Sequence, residues 1–274
     1  MRYCQQGGNY LRVRGAKIMD KLAVKEGLRL KPLLKVGIIC PCKIEYDKCK
    51  SILNLSSESN LNGRTISSKK YESCEAIAIF AGPGKIQCAS ATQLVIDKFN
   101  VDMVIDVGGA GALVDVLKCN DIIVAKEVYE YDVCEIEEYP KFKDELTSRT
   151  IFYDSAKDKN PNIEMVMIYK LSSIDANIKF GNIASGEKTV KDKVTRDKLY
   201  SLLNAHACNW ETSSVIKTAN LNGIKALSIR VITDNADEKM EKDFYENWGN
   251  ALEKLYIALD QIFERGLLNE LVDL

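Results

Sequence analysis

From Lys35 onward, short apolar segments typical of buried strands alternate with segments of helical periodicity, and this alternation limits the possible folds more than any other feature. The first apolar segment is 35–40 and the last is 225–233, before an amphipathic segment at Phe244–Glu264 that predicts a long C-terminal helix. We therefore expect one α/β domain over residues 35–274, with a central, mixed but mostly parallel sheet flanked by helices. Residues 1–34 contain no acid before Asp20 and are predicted to be a basic, non-catalytic N-terminal extension.

Several segments are expected to interrupt this pattern. The polar residues 56–62 predict a loop, and 137–160 predict a surface excursion that is charged and rich in turns. Gly108–Gly111 follows the apolar strand Met103–Val107 and is interpreted as a flexible stretch where that strand exits the sheet. In open α/β sheets ligands bind beyond the carboxyl ends of the strands, so these exits are where a site is expected.

Composition excludes several classes of function. Lys and Arg total 38 and Asp and Glu total 39, a balance that argues against a nucleic-acid partner. No run of 18 apolar residues occurs, so no membrane span is expected. Nine irregularly spaced cysteines predict reduced thiols in a cytoplasmic protein, and a single histidine, His206, excludes a multi-histidine metal site and is expected to be structural. No metal or other cofactor is predicted.

Three acids stand at predicted strand exits. Glu45 follows the first strand, Glu211 follows a short strand at 207–210, and Asp234 ends the strand 225–233. Convergent carboxyl groups suit cleavage of a bond at the anomeric carbon of a sugar, because one can protonate the leaving group while another activates water. Each acid alone would be a solvated loop residue or a helix cap, so only their placement at one sheet edge favours a catalytic site.

Four segments, read together, resemble a known family. They are Lys35–Ile39 with Glu45 beyond it, Gly82–Lys85 with Val101–Gly111, Gly181–Glu187 with Trp210–Thr212, and Ile229–Asp237. In this order they resemble the nucleoside phosphorylase superfamily over residues 35–260, and most closely its 5′-methylthioadenosine/S-adenosylhomocysteine nucleosidases. The resemblance implies hydrolysis of a purine nucleoside to release adenine, without a cofactor, in a homodimer.

The resemblance also implies a role for each matching residue. Asp234 would protonate N7 of the purine, and Glu45 would deprotonate the attacking water. Glu211 would bind the ribose hydroxyls, with Arg230 as its support. The remaining implied substrate contacts are Gly109 and Ala110 on the ribose side, Thr189, Val190 and Trp210 around base and ribose, and Phe244 from the loop after Asp234.

Four departures from the family pattern fall in the implied pocket. The usual serine is replaced by Gly109 and the usual phenylalanine by Thr189. The usual methionine is replaced by Trp210 and the usual histidine by Tyr131. These changes leave the three acids in place and predict retained bond chemistry with a changed substrate shape. Two alternatives stay open: a phosphate-dependent phosphorylase, disfavoured because no arginine adjoins Gly108–Gly111, and a nucleoside-binding relative without turnover.

Overall fold

The computed structural model describes residues 33–152 and 161–272 of the 274-residue chain. Residues from Leu34 onward form one compact unit. Of the predicted N-terminal extension only Leu33 and Leu34 lie within the described residues, and Leu34 is the first residue of the first strand. Within these ranges, no helix is long and apolar enough to cross a membrane.

Strands and helices alternate along most of the described chain. The strands are β1 (Leu34–Cys40), β2 (Ser57–Leu61), β3 (Arg64–Lys70), β4 (Cys74–Phe80), β5 (Met103–Ala112), β6 (Ile122–Glu130), β7 (Thr147–Arg149), β8 (Ile178–Ser185), β9 (Ala207–Asn209) and β10 (Lys225–Asp234). The helices are α1 (Lys43–Ile52), α2 (Lys85–Phe99), a 3₁₀ helix (Ile136–Phe142), α3 (Lys143–Leu146), α4 (Pro161–Ser172), α5 (Lys193–Leu203), α6 (Thr212–Leu221), α7 (Met240–Glu264) and α8 (Leu267–Val272).

The sheet closes on itself instead of remaining open. β5 pairs with β10 and β9, and β6 and β8 complete a ring in the order β5, β10, β6, β8, β9. From β5 the sheet continues outward through β1, β4, β3 and β2. Five strand pairings in the described residues are parallel and five are antiparallel. The predicted α/β domain with a mixed sheet is confirmed, but the expectation of a mostly parallel sheet missed this barrel-like closure.

Helices cover both faces of the central strands because alternate strand residues point to opposite sides. Ile38 and Ile105 belong to a core cluster that includes the buried face of α1 and the C-terminal helix α7. Their neighbours Ile39 and Val104 belong to a second cluster with α2 and α6. Continuous apolar strands such as β1 are therefore buried on both faces, as their sequence pattern predicts.

Two segments differ from the sequence prediction. The predicted loop 56–62 contains β2, an exposed edge strand joined to β3 through Asn62 and Gly63, whose φ angles of 52° and 79° suit a tight hairpin turn. The predicted flexible stretch Gly108–Gly111 is part of β5, where it pairs with β10. Its glycines make room for side chains that approach the strand.

Candidate active site

A buried ion pair lies beneath the site. Asp106 of β5 is fully buried and accepts hydrogen bonds from Nε and Nη2 of Arg230 of β10, at 2.9 and 2.5 Å. The hydroxyls of Thr212 and Ser228 also donate to Asp106 Oδ2, each at 2.7 Å. Neither charge reaches solvent, so each depends on the other and on these hydroxyls for its stability.

Glu45 is held at the start of α1 by two backbone donors. Its Oε2 accepts from the N–H of Cys42 at 2.8 Å, which forms a capping box at the end of β1. Its Oε1 accepts from the N–H of Gly109 at 3.0 Å. Glu45 is 4% exposed, and the two hydrogen bonds hold its carboxyl group between the helix start and β5.

Glu211 immediately precedes α6 and reaches the same part of β5. Its Oε1 accepts from the N–H of Gly84 at 3.3 Å, and its Oε2 lies 3.6 Å from Nη1 of Arg230. β9 is antiparallel to β5, so the chain leaving β9 points back along β5 toward Gly109. Glu211 therefore follows a strand that runs antiparallel to β5, whereas the sequence analysis expected all three acids at one edge of a mostly parallel sheet.

Burial dominates the electrostatics of these two acids. Desolvation is the largest cause that raises the pKa of Glu45 to about 7; Arg230 and two backbone donors oppose this shift, and the neighbouring Glu211 adds to it. Desolvation also raises the pKa of Glu211, again against Arg230. A carboxyl group with a pKa near 7 can accept a proton at neutral pH more readily than an ordinary glutamate.

Asp234 is the last residue of β10. Its Oδ2 accepts from the hydroxyl of Thr233 at 2.8 Å and its Oδ1 from the N–H of Ala236 at 2.9 Å. The side chain is 5% exposed, and burial raises its pKa against these two hydrogen bonds. A larger fraction of Asp234 therefore carries a proton near neutral pH than an exposed aspartate would.

The strand segment Gly108–Gly111 runs between Glu45 and Asp234. A side chain at Gly108 would meet Glu45 Oε1 at 2.4 Å and Arg230 Nη1 at 2.8 Å, whereas one at Gly111 would meet Asp234 Oδ1 at 2.8 Å. Three residues of strand separate the two contacts, a span of roughly 10 Å. Glu45 and Asp234 thus lie at opposite ends of a glycine-lined segment about as long as a nucleoside.

The other site residues predicted from the sequence differ in how deeply they are buried. Ala110 is buried, and its carbonyl accepts from Thr233. Val190 is buried in a small apolar cluster, whereas Thr189 is exposed and Trp210 is 43% exposed. Their roles in binding stay predictions.

Phe244 requires a correction. The periodicity predicted Phe244 as the first residue of the C-terminal helix, whereas the family resemblance implied a contact from the loop after Asp234; the residue lies within α7. Helix α7 begins at Met240, so the loop after β10 is shorter than predicted. The Phe244 ring packs against Trp248, with ring centroids 4.2 Å apart.

The start of α2 carries an ion-pair network beside Glu211. Lys85 Nζ lies 2.6 Å from Asp132 and 3.1 Å from Glu130. The Lys85 backbone N–H donates to Glu187 at 2.6 Å, next to the Gly84 N–H that Glu211 accepts from. Two carboxylates therefore occupy two of the backbone donors at this helix start.

Sequence reasoning missed the role of Asp106 and the clearance that Gly108 and Gly111 provide. Asp106 sits within an apolar strand, and Arg230 sits within another. Charges of opposite sign in two buried strands are a signal that the residues pair, because an unpaired buried charge is costly. The two glycines were noted, but their role as clearance for Glu45 and Asp234 needs the paired strands.

No metal centre is indicated by the described residues, where no group of three or more His, Cys, Asp or Glu side chains could hold an ion. The eight cysteines of that part of the chain are free thiols. His206 accepts from the backbone N–H of Asn182 at 3.3 Å and packs edge-on against Tyr200.

Comparison with known proteins gives a consistent grouping. The chain is 26% identical over 220 residues to a 5′-methylthioadenosine/S-adenosylhomocysteine nucleosidase of Buchnera aphidicola, covering 78% of this chain and 90% of the relative. It is 28% identical over 213 residues to an aminodeoxyfutalosine nucleosidase of Helicobacter pylori, covering 77% and 90%.

The fold also matches solved structures. A Helicobacter pylori 5′-methylthioadenosine/S-adenosylhomocysteine nucleosidase, crystallised with a pyrrolidine-containing ligand, aligns with a TM-score of 0.74 at 24% identity and covers 86% of this chain and all of its own. A Streptococcus pneumoniae enzyme of the same name, with a transition-state inhibitor, aligns at 0.71 and 21% identity, covering 84% and 99%. A family model described as the phosphorylase superfamily matches residues 35–264, and this chain therefore belongs to that superfamily.

Proposed function

We propose that this protein hydrolyses the N-glycosidic bond of a purine nucleoside. The observation that carries the proposal is the placement of Glu45, Glu211 and Asp234 along Gly108–Gly111 of β5, with the pKa of each acid raised by burial. The nucleosidase names of the relatives support the same reaction class.

Asp234 is the proposed general acid. Its raised pKa keeps a proton available, and the hydrogen bonds from Thr233 and Ala236 orient the carboxyl group. Protonation of the purine at N7 turns the base into a neutral leaving group. The bond from the anomeric carbon to N9 then breaks with less charge separation.

Glu45 is the proposed general base, and Glu211 the ribose ligand. Glu45, with a pKa of about 7, accepts a proton from the water that attacks the anomeric carbon. Glu211 accepts hydrogen bonds from ribose hydroxyls, and its charge favours the cationic, oxocarbenium-like sugar of the transition state. Both acids lie near Nη1 of Arg230, so the proposed base and the proposed ribose ligand would face the same part of a substrate.

The geometry favours water over phosphate as the nucleophile. A phosphate would need free cations and backbone donors, as at a helix start. The N–H groups of Gly84 and Lys85 already serve Glu211 and Glu187, and the Lys85 ammonium pairs with two carboxylates. An arginine does reach Gly108–Gly111 in the fold, because Arg230 donates to the carbonyl of Gly109. Asp106 and Glu211 already pair with this arginine, and Glu45 adds further negative charge where phosphate would sit.

For the substrate we propose an adenine nucleoside with a 5′ substituent, with 5′-methylthioadenosine and S-adenosylhomocysteine first. The relatives that carry these names, together with the aminodeoxyfutalosine nucleosidases, support this class. Thr189 is exposed and Trp210 is half-exposed, and their departure from the usual family residues supports a substrate of a different shape.

Release of free base from a panel of nucleosides, with and without phosphate, tests the proposal. Base release in phosphate-free buffer, with the free sugar as the other product, is expected for 5′-substituted adenosines. A strict phosphate requirement would identify a phosphorylase, and tight binding without release would identify a binding protein. Either result would overturn the proposed reaction.

We also propose that the protein acts as a cytoplasmic homodimer. Ile86 and Val133 are 81% and 58% exposed and adjoin the Lys85–Asp132 ion pair beside Glu211. A second copy covering them would also close the site. Light scattering should give a dimer that Ile86→Glu weakens, whereas Leu221→Glu, at an equally exposed residue of α6, should not weaken it. A monomer of full activity would contradict the proposal.

A further inference from the structure

Arg230 presents two different edges to its surroundings. The edge formed by Nε and Nη2 is taken by Asp106 in a bidentate pair, at 2.9 and 2.5 Å. The third nitrogen, Nη1, donates to the carbonyl of Gly109 at 3.3 Å and lies 3.6 Å from Glu211 Oε2. Nη1 and Glu45 Oε1 also flank the same position of β5, because a side chain at Gly108 would meet them at 2.8 and 2.4 Å. One guanidinium is therefore shared between one acid beneath the site and two acids within it.

Asp106 itself cannot touch a substrate. It is fully buried, and Thr212, Ser228 and Arg230 occupy its carboxylate oxygens. In the register of β1 and β5 it pairs with Ile39, which lies one residue before β1 ends. Any effect of Asp106 on the reaction must therefore act through these partners or through its charge, and Arg230 is the partner whose guanidinium also lies 3.6 Å from Glu211.

We propose that Asp106 is a positioning residue: its bidentate contact directs Nη1 of Arg230 between Glu45 and Glu211, and its charge offsets the guanidinium so that the site stays anionic toward a cationic sugar. The effect of Asp106 on catalysis rests on the proposed function. The orientation of Arg230 by Asp106, and the effect of the two charges on Glu45, do not depend on it. A bidentate arginine–carboxylate pair fixes the guanidinium plane in a way that a single hydrogen bond does not. Burial keeps these charges unscreened, so they act over several ångströms.

The neighbours of Glu45 leave few other sources of charge. Arg230 of β10 and Glu211 before α6 face it directly. The other titratable groups around it are neutral near pH 7, because burial raises the pKa of each; they are Cys40 of β1, Cys42 before α1, Cys88 of α2 and Tyr256 of α7. The field at Glu45 is thus set by Arg230 and Glu211, with Asp106 acting on both.

Asp106→Asn removes the charge and keeps an oxygen acceptor for Arg230. The guanidinium then acts on Glu45 less compensated, so the pKa of Glu45 should fall by at least about half a pH unit. The acidic limb of the pH profile of kcat/KM should shift to lower pH by the same amount as the pKa of Glu45. Ser228→Ala is the matched control, because it removes a hydrogen bond from the same carboxylate without changing any charge. It should leave the pKa of Glu45 unchanged.

The direct readout is a ¹³C NMR titration of the Glu45 carboxyl carbon in full-length protein. An unchanged pKa in Asp106→Asn would overturn the proposal. A shifted pKa in a protein that releases no base would leave the proposal standing and contradict the proposed function instead. The titration therefore distinguishes a failure of the positioning role of Asp106 from a failure of the proposed function.

A second variant covers the case in which Asp106→Asn does not fold. Asp106→Asn with Arg230→Gln replaces the buried pair by neutral groups of similar shape, which proteins often tolerate. If Asp106 offsets Arg230, removing both should raise the pKa of Glu45 by less than about one pH unit. A larger rise would show that Arg230 acts uncompensated and would overturn the proposal.

Discussion

Glu45→Gln should change how the stability of the protein depends on pH. Burial raises the pKa of Glu45 from the ordinary 4.5 to about 7, a difference that corresponds to about 3 kcal/mol. Below pH 4.5 the group is protonated in both folded and unfolded chains, and the neutral carboxyl contributes its full stability. As pH rises toward 7, the unfolded chain loses the proton while the folded chain keeps it, so stability falls. Above pH 7 the loss is complete.

Urea denaturation of wild type and Glu45→Gln at a series of pH values measures this loss directly. From pH 5 to pH 8 the free energy of unfolding of the wild type should fall by about 2 to 3 kcal/mol more than that of the variant. Glu72→Gln, at an exposed position, should follow the wild type. Parallel curves for wild type and Glu45→Gln would refute the reasoning, because they would give Glu45 an ordinary pKa.

Three further changes have defined outcomes. Asp234→Asn should lower kcat for base release by about 100- to 10,000-fold without lowering the melting temperature, and near-normal turnover would remove Asp234 as the acid. Glu211→Gln removes a negative charge beside Glu45, so the acidic limb of the kcat/KM profile should move to lower pH while KM rises; a limb that stays in place would show that the two acids do not interact. Gly108→Ala forces a methyl group to within 2.4 Å of Glu45 Oε1 at a φ of +136°, so kcat/KM should fall by at least about 100-fold. Gly249→Ala, in open space inside α7, should instead stabilise the protein by about 0.5 to 1 kcal/mol, and comparable activity losses in both variants would contradict the proposed contact.

The sequence predicted the parts of the site that depend on single elements. Glu45 follows the mostly apolar strand β1 and lies in the first turn of a helix, and Asp234 ends the mostly apolar strand β10, so both could be placed at strand exits from periodicity alone. Their raised pKa values follow from the same burial. What periodicity does not contain is which strands are neighbours and in what register.

The contacts between elements were accordingly missed. The pairing of Asp106 with Arg230 requires β5 beside β10, with Arg230 opposite Gly108. The approach of Glu211 requires a three-residue strand, β9, that runs antiparallel to β5. Glycines at Gly108–Gly111 suggested flexibility, but in paired strands they provide clearance. Local pattern cannot separate these two uses of glycine, because both need only the absence of a side chain.

A crystal structure of Asp234→Asn with 5′-methylthioadenosine bound would test the central claim most directly. The account predicts N7 of the adenine within hydrogen-bond distance of residue 234, ribose hydroxyls on Glu211, and an ordered water between Glu45 and the anomeric carbon. All three contacts should be made by one ligand lying along Gly108–Gly111. A nucleoside bound elsewhere, or one that reaches only one of the three acids, would contradict the account.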